Sequence, residues 1–528
     1  MQRRDFLKTA VAGVAGLSTP RLSAAESIRV LRFRPNNDLT VLDPIWTSVF
    51  VTRHHGFMVF DTLYGQDDQM RPHPQMVEGH RIENDGKLWR LTLREGLKFH
   101  DGEPVLARDV VASIRRWARA DAFGQALMAA TDELSAISDR EVKFRLRRPF
   151  PLLPNALGKG TTFMPAIMPE RLARADLSRP LTEAVGSGPY RFVAAERIAG
   201  VRAVYERFRD YVPRQGGQTQ FTSGPKIAHF DRIEWITIPD PATAAAALRT
   251  GEIDWYEDPM LDLLPTLRRD RSVVVDTINP AGNMGIIRLN HLHPPFDNPA
   301  VRRAILGAIN QTELMAGIAG SDRSLWDDKV GIFCPESPLA SDAGLEVLTS
   351  PRDPAKVRRD LEQAGYRGEP VVFLTATNSV GINALAEVAS DQFRRNGINV
   401  EYVALDFGNW LQRRNRREPP SQGGWNVLTT FLPGMELWDP AGHLALRGNG
   451  QNAWSGWPTS ARIEELRDAW FMAKDDETRR ALGREMQLQA WQDVPYIPAG
   501  RWKQPTAYRR DLTGVLRGIP LFYNVRRV

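Results

Sequence analysis

Short strand patterns and short helix patterns alternate along most of this 528-residue chain, and no internal repeat interrupts them. Apolar residues stand near alternating positions over residues 88–99, which predicts a strand, and at helical spacing over residues 109–119, which predicts a helix. In a helix that begins at Asn298-Pro299, Val301 lies on the predicted buried face and Arg302 and Arg303 on the solvent side. The alternation predicts a mixed α/β fold. The other predicted elements are strands over 28–33 and 141–146, helices that begin at Asp353-Pro354 and near 460 and 476, and a loop over 213–225.

The composition is that of an ordinary globular protein, with 42% hydrophobic and 25% charged residues. At about 150 residues per domain, the length predicts roughly three or four domains. Cys334 is the single cysteine, so an intramolecular disulfide framework and any multi-cysteine zinc or iron–sulfur site are excluded. The formal charge is +6, and the first 25 residues supply +3 of it, which leaves 6 − 3 = +3 for the rest. Such a weak positive charge gives no reason to expect a nucleic-acid partner.

The first 25 residues have the three parts of an export signal: a basic start, a short apolar run and a small-residue cleavage site at Ser23-Ala24-Ala25. The run Arg3-Arg4-Asp5-Phe6-Leu7-Lys8 matches the twin-arginine export pattern. No cysteine follows the apolar run, and no later stretch approaches the length of apolar sequence that crosses a bilayer. We therefore expect a soluble periplasmic protein that is exported by the twin-arginine pathway.

Enzyme motifs are largely missing. The run Gly158-Lys159-Gly160-Thr161 has only part of a phosphate-binding loop and is interpreted as an ordinary loop. The pairs His54-His55 and His291-x-His293 could bind a metal, but strand geometry would turn neighbouring side chains to opposite faces, and packing or surface roles are favoured. We expect no catalytic residues, no metal site and no cofactor.

Several motifs, in order along the chain, resemble the extracellular solute-binding protein family 5. This family comprises the periplasmic dipeptide-, oligopeptide- and nickel-type receptors of ABC transporters. The similarity covers essentially all of the chain after the signal. The runs that carry it are Leu42-Asp43-Pro44, Phe60-Asp61-Thr62-Leu63, residues 89–102, Asp109-Val110-Val111-Ala112-Ser113, Gly186-Ser187-Gly188-Pro189-Tyr190, residues 247–254 and residues 295–304.

The resemblance implies a two-lobed α/β fold, periplasmic-binding-protein-like, with an extra subdomain (class C, type II). By motif position, residues 1–25 are the signal peptide, and residues 26–60, 186–282 and 501–528 form lobe I. Residues 61–185 form the extra subdomain, and residues 283–500 form lobe II. Such lobes close around a ligand by hinge motion.

The ligand site is expected where the lobes meet. Residues 402–457 are rich in aromatic residues interspersed with glycines, and such a segment suits a cleft for a small ligand, with Phe431, Gly434 and Trp438 among its candidate residues. The alternative is that most of these aromatic residues are core, which is favoured for Trp425 and Trp470.

Peptide receptors of this family place an acidic residue four positions before a proline, where it binds the α-ammonium group of the ligand. Here Pro440 gives that position to Glu436, instead of the usual aspartate. A charge-assisted contact with an ammonium group would be short and strong. The alternative is a solvent-facing glutamate beside a loop.

Trp410 and Arg417 stand at the spacing of a tryptophan and an arginine that flank bound peptides in some relatives. Arg417 ends a dense basic run over 413–417, and a guanidinium group can bind a ligand carboxylate through two nitrogens. A solvated surface is the commoner role of such a run. If Glu436 and one of these arginines both face the cleft, the ligand is a zwitterion.

The leading hypothesis is a monomeric receptor that captures a small peptide or a related amino compound and delivers it to ABC permease subunits in the membrane, without chemistry. Two alternatives stay open: a periplasmic enzyme exported by the twin-arginine route, and nickel or metal-chelate binding by the same fold. Opines, glutathione-like compounds and sugars are further ligands that relatives carry.

Overall fold

The computed structural model describes residues 28–528 and contains two large sheets, one four-stranded sheet and fifteen helices among those residues. The predicted export signal over residues 1–25 lies outside the described residues. Among residues 28–528, no helix combines the length and the apolar character needed to cross a membrane. The two-lobed α/β architecture expected from the sequence is confirmed, with an additional sheet beside the lobes.

A seven-stranded sheet forms the first lobe. Val30–Arg34 lies near its centre and pairs in parallel with Arg232–Ile236 on one side and Trp255–Tyr256 on the other, whereas all other neighbours are antiparallel. The strand order is Val273–Asp276, Thr506–Arg509, Trp255–Tyr256, Val30–Arg34, Arg232–Ile236, Arg202–Arg207 and Tyr190–Phe192. The helices in these parts of the chain are Phe50–Val59, Pro241–Thr250 and Leu264–Arg269.

A six-stranded sheet forms the second lobe. Asn283–Leu289 pairs antiparallel with both Val427–Pro433 and Ile497–Trp502, so three chain segments that are far apart in sequence meet in its middle. The strand order is Trp326–Asp327, Ile497–Trp502, Asn283–Leu289, Val427–Pro433, Val371–Ala376 and Val400–Leu405. The helices of this lobe are Pro299–Leu306, Gln311–Ala319, Glu346–Thr349, Pro354–Gln363, Val380–Arg395, Phe407–Arg414, Ala461–Met472 and Asp476–Asp493.

An antiparallel four-stranded sheet forms the subdomain, with apolar residues on one face of each central strand. Its strand order is Val77–Glu83, Leu88–Leu93, Glu141–Leu146 and Thr131–Ala136. Its helices are Ala107–Ala120, Ala122–Ala130, Leu153–Leu157 and Glu170–Ala173. A hairpin of Tyr64–Gln66 and Pro72–Pro74 precedes this sheet, and a short pair, Leu512–Thr513 and Arg526–Arg527, lies near the carboxyl end.

Two short segments connect the lobes. Residues 277–282 lead from the edge strand Val273–Asp276 into Asn283–Leu289, and residues 503–505 lead from Ile497–Trp502 back to Thr506–Arg509. Arg501 lies beside both segments, because its Nη1 donates to the carbonyl oxygen of Pro280 at 2.5 Å. The same side chain forms ion pairs with Asp327 and Glu336, so the crossing region is held by charge as well as by the backbone.

Most of the predicted local elements are present, with shifted ends. The strand predicted over 88–99 ends at Leu93, and the helix predicted over 109–119 is Ala107–Ala120. The prediction of a solvent-facing Arg302 is wrong. This side chain is buried and donates to the carbonyl oxygens of Phe296 at 2.7 Å and Asp493 at 2.9 Å, because loop carbonyls next to the helix offer it acceptors inside the lobe.

The structure also tests the predictions for the His54-His55 pair, for the loop over 213–225 and for two tryptophans. His54 and His55 were expected on opposite faces of a strand, but both are buried in the helix Phe50–Val59. Residues 213–225 form a loop as predicted, in which residues 215–218 are exposed whereas Phe221 and Thr222 are buried. Trp425 and Trp470 are buried in the second lobe, which confirms their expected core role.

Buried ion pairs hold the segments of the first lobe and the subdomain together. Asp43 accepts from Arg116 Nη2 at 2.6 Å and from the backbone N–H of Leu181 at 3.1 Å, and neither charged side chain is exposed by more than 1%. Lys226 similarly pairs with Asp61 at 2.7 Å. A buried cation whose partner is removed is left uncompensated, so each pair is needed once it is formed.

We expect Asp43→Ala to lower the free energy of unfolding by about 3–5 kcal/mol, because it leaves the Arg116 guanidinium buried without a counter-ion. Asp210→Ala, which removes a surface partner of Lys98, is the control and should cost less than about 1 kcal/mol. Urea unfolding of both variants tests this expectation, and equal losses would contradict it.

A second prediction concerns His443, which is buried with both ring nitrogens in use. Its Nε2 lies 3.0 Å from the carbonyl oxygen of Ile332, and its Nδ1 accepts from the backbone N–H of Leu446 at 3.2 Å. Burial lowers the pKa of His443 to about 4, so the ring is neutral in the folded protein at pH 5 whereas the unfolded chain binds a proton near pH 6.5.

The free energy of unfolding should therefore fall as the pH drops from 7 to 5, by about 2 kcal/mol through His443 alone. His443→Gln can still donate and accept but does not titrate, so its unfolding midpoint in urea should change less between these two pH values. A pH dependence identical to that of the unsubstituted protein would show that His443 does not contribute.

Candidate functional site

Glu436 lies on a short 3-10 turn, Gly434–Leu437, that follows a central strand of the second lobe. The strand Val427–Pro433 ends where Pro433 faces Asn283, next to the first crossing segment. Gly434 then approaches that segment closely: its N–H donates to the carbonyl oxygen of Gly282 at 2.8 Å, and a Cβ at this position would lie 2.2 Å from the carbonyl oxygen of Ala281. Only glycine fits there, and the tight approach brings Glu436 to the meeting line of the lobes.

The carboxylate of Glu436 is bound by a residue of the subdomain. Its Oε1 accepts from the backbone N–H of Thr162 at 2.9 Å and from the hydroxyl of the same threonine. No group of residues 28–528 donates to Oε2, and the glutamate retains 8% exposure. The alternative of a solvent-facing glutamate is thus wrong: one oxygen is oriented by the opposite side of the interface, and the other remains available.

Thr162 belongs to a loop that is itself fixed by buried groups. Lys159 Nζ lies 2.5 Å from Asp121 Oδ2 and donates to the carbonyl oxygen of Thr162 at 2.8 Å. Gly160 N–H donates to Gln66 Oε1 at 2.7 Å, and a Cβ on Gly160 would lie 2.4 Å from the ring of Phe221. This loop, interpreted from the sequence as an ordinary one, is therefore the part of the subdomain that contacts Glu436 of the second lobe.

Charges around Glu436 act on one another through a water-poor interface. Burial alone would lower the pKa of Lys159, but Asp121, with Glu436 and Asp439 farther away, outweighs it and raises that pKa. Burial lowers the pKa of Arg53 to about 10, against the opposing attraction of Glu436. Burial also raises the pKa of Asp439. The charge of Glu436 thus acts on two cations outside the second lobe, Arg53 and Lys159.

A cavity of about 540 Å³ lies beside this contact, with walls from all three parts of the structure. Met435 and Trp438, which flank Glu436, line one side, and Met70 and Phe221 line others. A neighbouring cavity of about 290 Å³ also has Met70 and Trp438 in its wall. The larger volume lies in the range of small-molecule pockets, and the walls of both cavities combine apolar and aromatic side chains with a few charged ones.

The other predicted site residues fall into two places. Trp438 and Gly434 lie on the Glu436 turn, and Phe431 lies on the strand before it. Phe431 is half-buried, with its ring 5.1 Å from that of Trp502 at the second crossing. Phe431, Gly434, Glu436 and Trp438 are therefore brought together next to the crossings.

Trp410 and Arg417 both lie near Trp457 in the second lobe, and neither of them contacts Glu436. Trp410 is 1% exposed and packs in a hydrophobic cluster of the second lobe that also contains Trp425 and Trp457. The Arg417 guanidinium lies 5.3 Å from the ring centroid of Trp457, and its Nη2 donates to the carbonyl oxygen of Gln451 at 2.7 Å. These contacts suit a structural role within the second lobe.

Two residues of the site were not identified from the sequence, Thr162 and Arg53. Glycines 158 and 160 were a usable signal for the first, since they permit a close approach of the backbone. For Arg53 the local sequence offered no clear signal, since its helix also contains the polar residues Thr52, His54 and His55. Within residues 28–528, no three His, Cys, Asp or Glu side chains are grouped so that they could hold a metal ion.

Comparison with known proteins gives a consistent result along the chain. The family described as bacterial extracellular solute-binding proteins, family 5 Middle, matches residues 71–438. The "Probable peptide ABC transporter periplasmic-binding protein y4tO" of Sinorhizobium fredii is 33% identical over 100% of this chain and 99% of that protein. The "Glutathione-binding protein GsiB" of Pectobacterium atrosepticum is 26% identical over 97% of this chain and 95% of its own length.

Solved structures show the same fold at lower sequence identity. The periplasmic binding protein AgaA in complex with agropinic acid, from A.tumefacien R10, has a TM-score of 0.78 at 20% identity and covers 94% of this chain and 99% of its own. DppA from Helicobacter pylori in complex with peptide STSA has a TM-score of 0.77 at 22% identity and covers 94% and 98%. With the family match over most of the sequence and a relative at 33% identity along its full length, the chain belongs to the bacterial extracellular solute-binding proteins, family 5.

Proposed function

We propose that this protein captures a short peptide or a related amino compound in the periplasm and delivers it unchanged to the permease of an ABC importer. The observation that carries the proposal is the Glu436 carboxylate, of which one oxygen is held by Thr162 and the other is available between the lobes. A buried carboxylate with a free acceptor atom favours a cationic ligand group such as an ammonium. The relatives named for peptide and glutathione binding support this ligand class.

The geometry also supports a mechanism of closure. Among residues 28–528, only two short segments cross between the lobes, and the turn that carries Glu436 packs against the first of them through Gly434. A ligand that fills the cavity between the lobes adds contacts to both sides and so stabilises the closed arrangement. A permease can then distinguish the loaded protein from the empty one by shape.

Several finer features belong to the same proposal. We infer export by the twin-arginine pathway from the motif over residues 3–8, and a monomeric state. We assign residues 26–60, 186–282 and the carboxyl tail to lobe I, residues 61–185 to the subdomain, and residues from 283 up to the tail to lobe II. The sheets over residues 28–528 support this division. Because Ile497–Trp502 belongs to the six-stranded sheet, we place the last boundary after Trp502 instead of after residue 500.

The proposal is tested with the small-peptide fraction of a casein hydrolysate as the probe. A ligand that binds only the folded protein raises its melting temperature, and native mass spectrometry then identifies the bound mass. We expect a thermal shift and bound peptides. A response to sugars, with none to the hydrolysate, would contradict the proposed ligand class.

Glu436→Gln should weaken binding of the retained peptide at least about 100-fold, because its ammonium group would be desolvated without an opposite charge. The amide oxygen can still accept both bonds from Thr162, so the contact between lobe and subdomain is kept. Calorimetry measures the loss. The N-acetylated form of the same peptide is the matched control and should bind both proteins equally. Equal affinity of both proteins for the free amine would refute the role of Glu436.

Thr162→Val removes the hydroxyl donor but keeps the backbone N–H, so Glu436 is less firmly oriented. We expect about tenfold weaker peptide binding, because one hydrogen bond to a charged group is lost. Thr162→Ser keeps the hydroxyl and is the control, with an affinity close to that of the unsubstituted protein. Calorimetry distinguishes the two variants, and equal binding by both would show that the hydroxyl is dispensable.

A further inference from the structure

A second group of polar side chains lies at the carboxyl ends of the parallel strands in the first lobe. Asn36 follows Val30–Arg34, and Glu257 and Asp258 follow the neighbouring strand Trp255–Tyr256. In sheets with parallel strands, ligands bind beyond the carboxyl ends, where neighbouring strands diverge to their own connections. Arg53, on the helix Phe50–Val59, is connected to this group through His54, whose Nε2 lies 3.2 Å from Arg53 Nη2 and whose Nδ1 lies 3.4 Å from Glu257 Oε1.

Arg53 is buried with most of its donors unused. It is 6% exposed, and its Nε and Nη1 have no hydrogen-bond partner among residues 28–528. Only Nη2 has a polar neighbour, the Nε2 of His54 at 3.2 Å. The guanidinium lies against the Phe50 ring, with 4.9 Å between Cζ and the ring centroid. Burying donors without partners is costly, so an arginine in this state is suited to a ligand that supplies acceptors.

The carboxyl groups nearby are already engaged elsewhere. Glu257 Oε2 accepts from Asn36 N–H at 2.7 Å, and its Oε1 lies 3.4 Å from His54 Nδ1. Asp258 forms an ion pair with Arg34 at 2.9 Å. Burial, with the adjacent Asp258, raises the pKa of Glu257. Arg53 is therefore left as a cation without an ion-pair partner in the described part of the chain.

Glu436 completes the arrangement from the second lobe. The helix that carries Arg53 packs against the loop that binds Glu436, because a Cβ on Gly56 would lie 2.7 Å from Met164 Sδ, two residues after Thr162. The negative charge of Glu436 acts on the Arg53 guanidinium, yet no ion pair forms between the two groups. A buried cation of one lobe and a buried anion of the other, each with unused hydrogen-bonding atoms, match a ligand that carries both charges.

We propose that Arg53 binds the carboxylate group of the same ligand whose ammonium group is bound by Glu436. This assignment rests on the proposed function and narrows it to zwitterionic ligands with a free carboxylate, such as unmodified peptides. The ligand carboxylate is thereby assigned to Arg53 in the first lobe. Arg417 is not its partner, because the Arg417 guanidinium is exposed and bonded within the second lobe. A guanidinium group bonded to a carboxylate is among the strongest polar contacts in proteins.

The test compares one peptide with its own amide. The peptide retained from the casein hydrolysate and its carboxyl-terminal amide are titrated into the unsubstituted protein and into Arg53→Gln, by calorimetry. Amidation should weaken binding to the unsubstituted protein about 10- to 100-fold, because two charge-assisted bonds are lost. The affinities of Arg53→Gln for the free acid and for the amide should differ by less than about twofold, since the partner of the ligand carboxylate is gone. Arg417→Gln is the matched control and should show the full effect of amidation.

Each outcome has a defined meaning. If the unsubstituted protein binds acid and amide equally, or if Arg53→Gln keeps the full difference between them, the assignment of Arg53 is overturned while the proposed function stands. If no peptide of the hydrolysate binds, the proposed function fails and the assignment fails with it. Binding of both peptide forms by Arg53→Gln at a common affinity also shows that the variant is folded.

Discussion

Two short crossing segments constrain the arrangement of everything else in this protein. Each large sheet is complete within its own lobe, so within residues 28–528 only 277–282 and 503–505 carry backbone between the lobes. The Arg501 side chain binds the first segment through the carbonyl oxygen of Pro280. Arg501 itself lies on the strand Ile497–Trp502, one residue before that strand ends and the second crossing segment begins. Because Gly434 packs against the first segment, the turn that carries Glu436 is positioned by the hinge itself.

Where the loop that carries Thr162 meets Glu436, the interface between the subdomain and the second lobe is held by charge more than by apolar contact. Lys159, Asp121, Thr162 and Glu436 form a continuous chain of polar contacts from the subdomain to the second lobe. Buried charges contribute little net stability once the cost of desolvating them is counted, but removing one partner is costly. Such contacts fix the geometry of this part of the interface, and Phe123 and Phe150 of the subdomain add apolar contact with Phe471 of the second lobe elsewhere.

Much of the fold was predictable from local pattern and motif order. The strands near 88 and 141 and the helices near 107, 299 and 354 follow from apolar spacing and from Asn-Pro or Asp-Pro starts. Arg302 was not predictable in this way, because its burial depends on the carbonyls of Phe296 and Asp493, and Asp493 is 191 residues away. A helical face is judged from neighbours in sequence, whereas a buried arginine is satisfied by acceptors from anywhere in the fold.

The candidate site also has some features that could be predicted from the sequence and others that could not. The sequence alone determined that Glu436 is the acidic group before Pro440, that aromatic residues surround it, and that the chain has the motif order of a two-lobed receptor. Only the tertiary structure decided that Thr162 orients this carboxylate, that Arg53 is the buried cation without a partner, and that Arg417 is bonded within the second lobe. The physical reason is that residue type and spacing specify which groups can bind a charge. Which groups meet, and which are left unpaired, depends on long-range pairing between segments hundreds of residues apart.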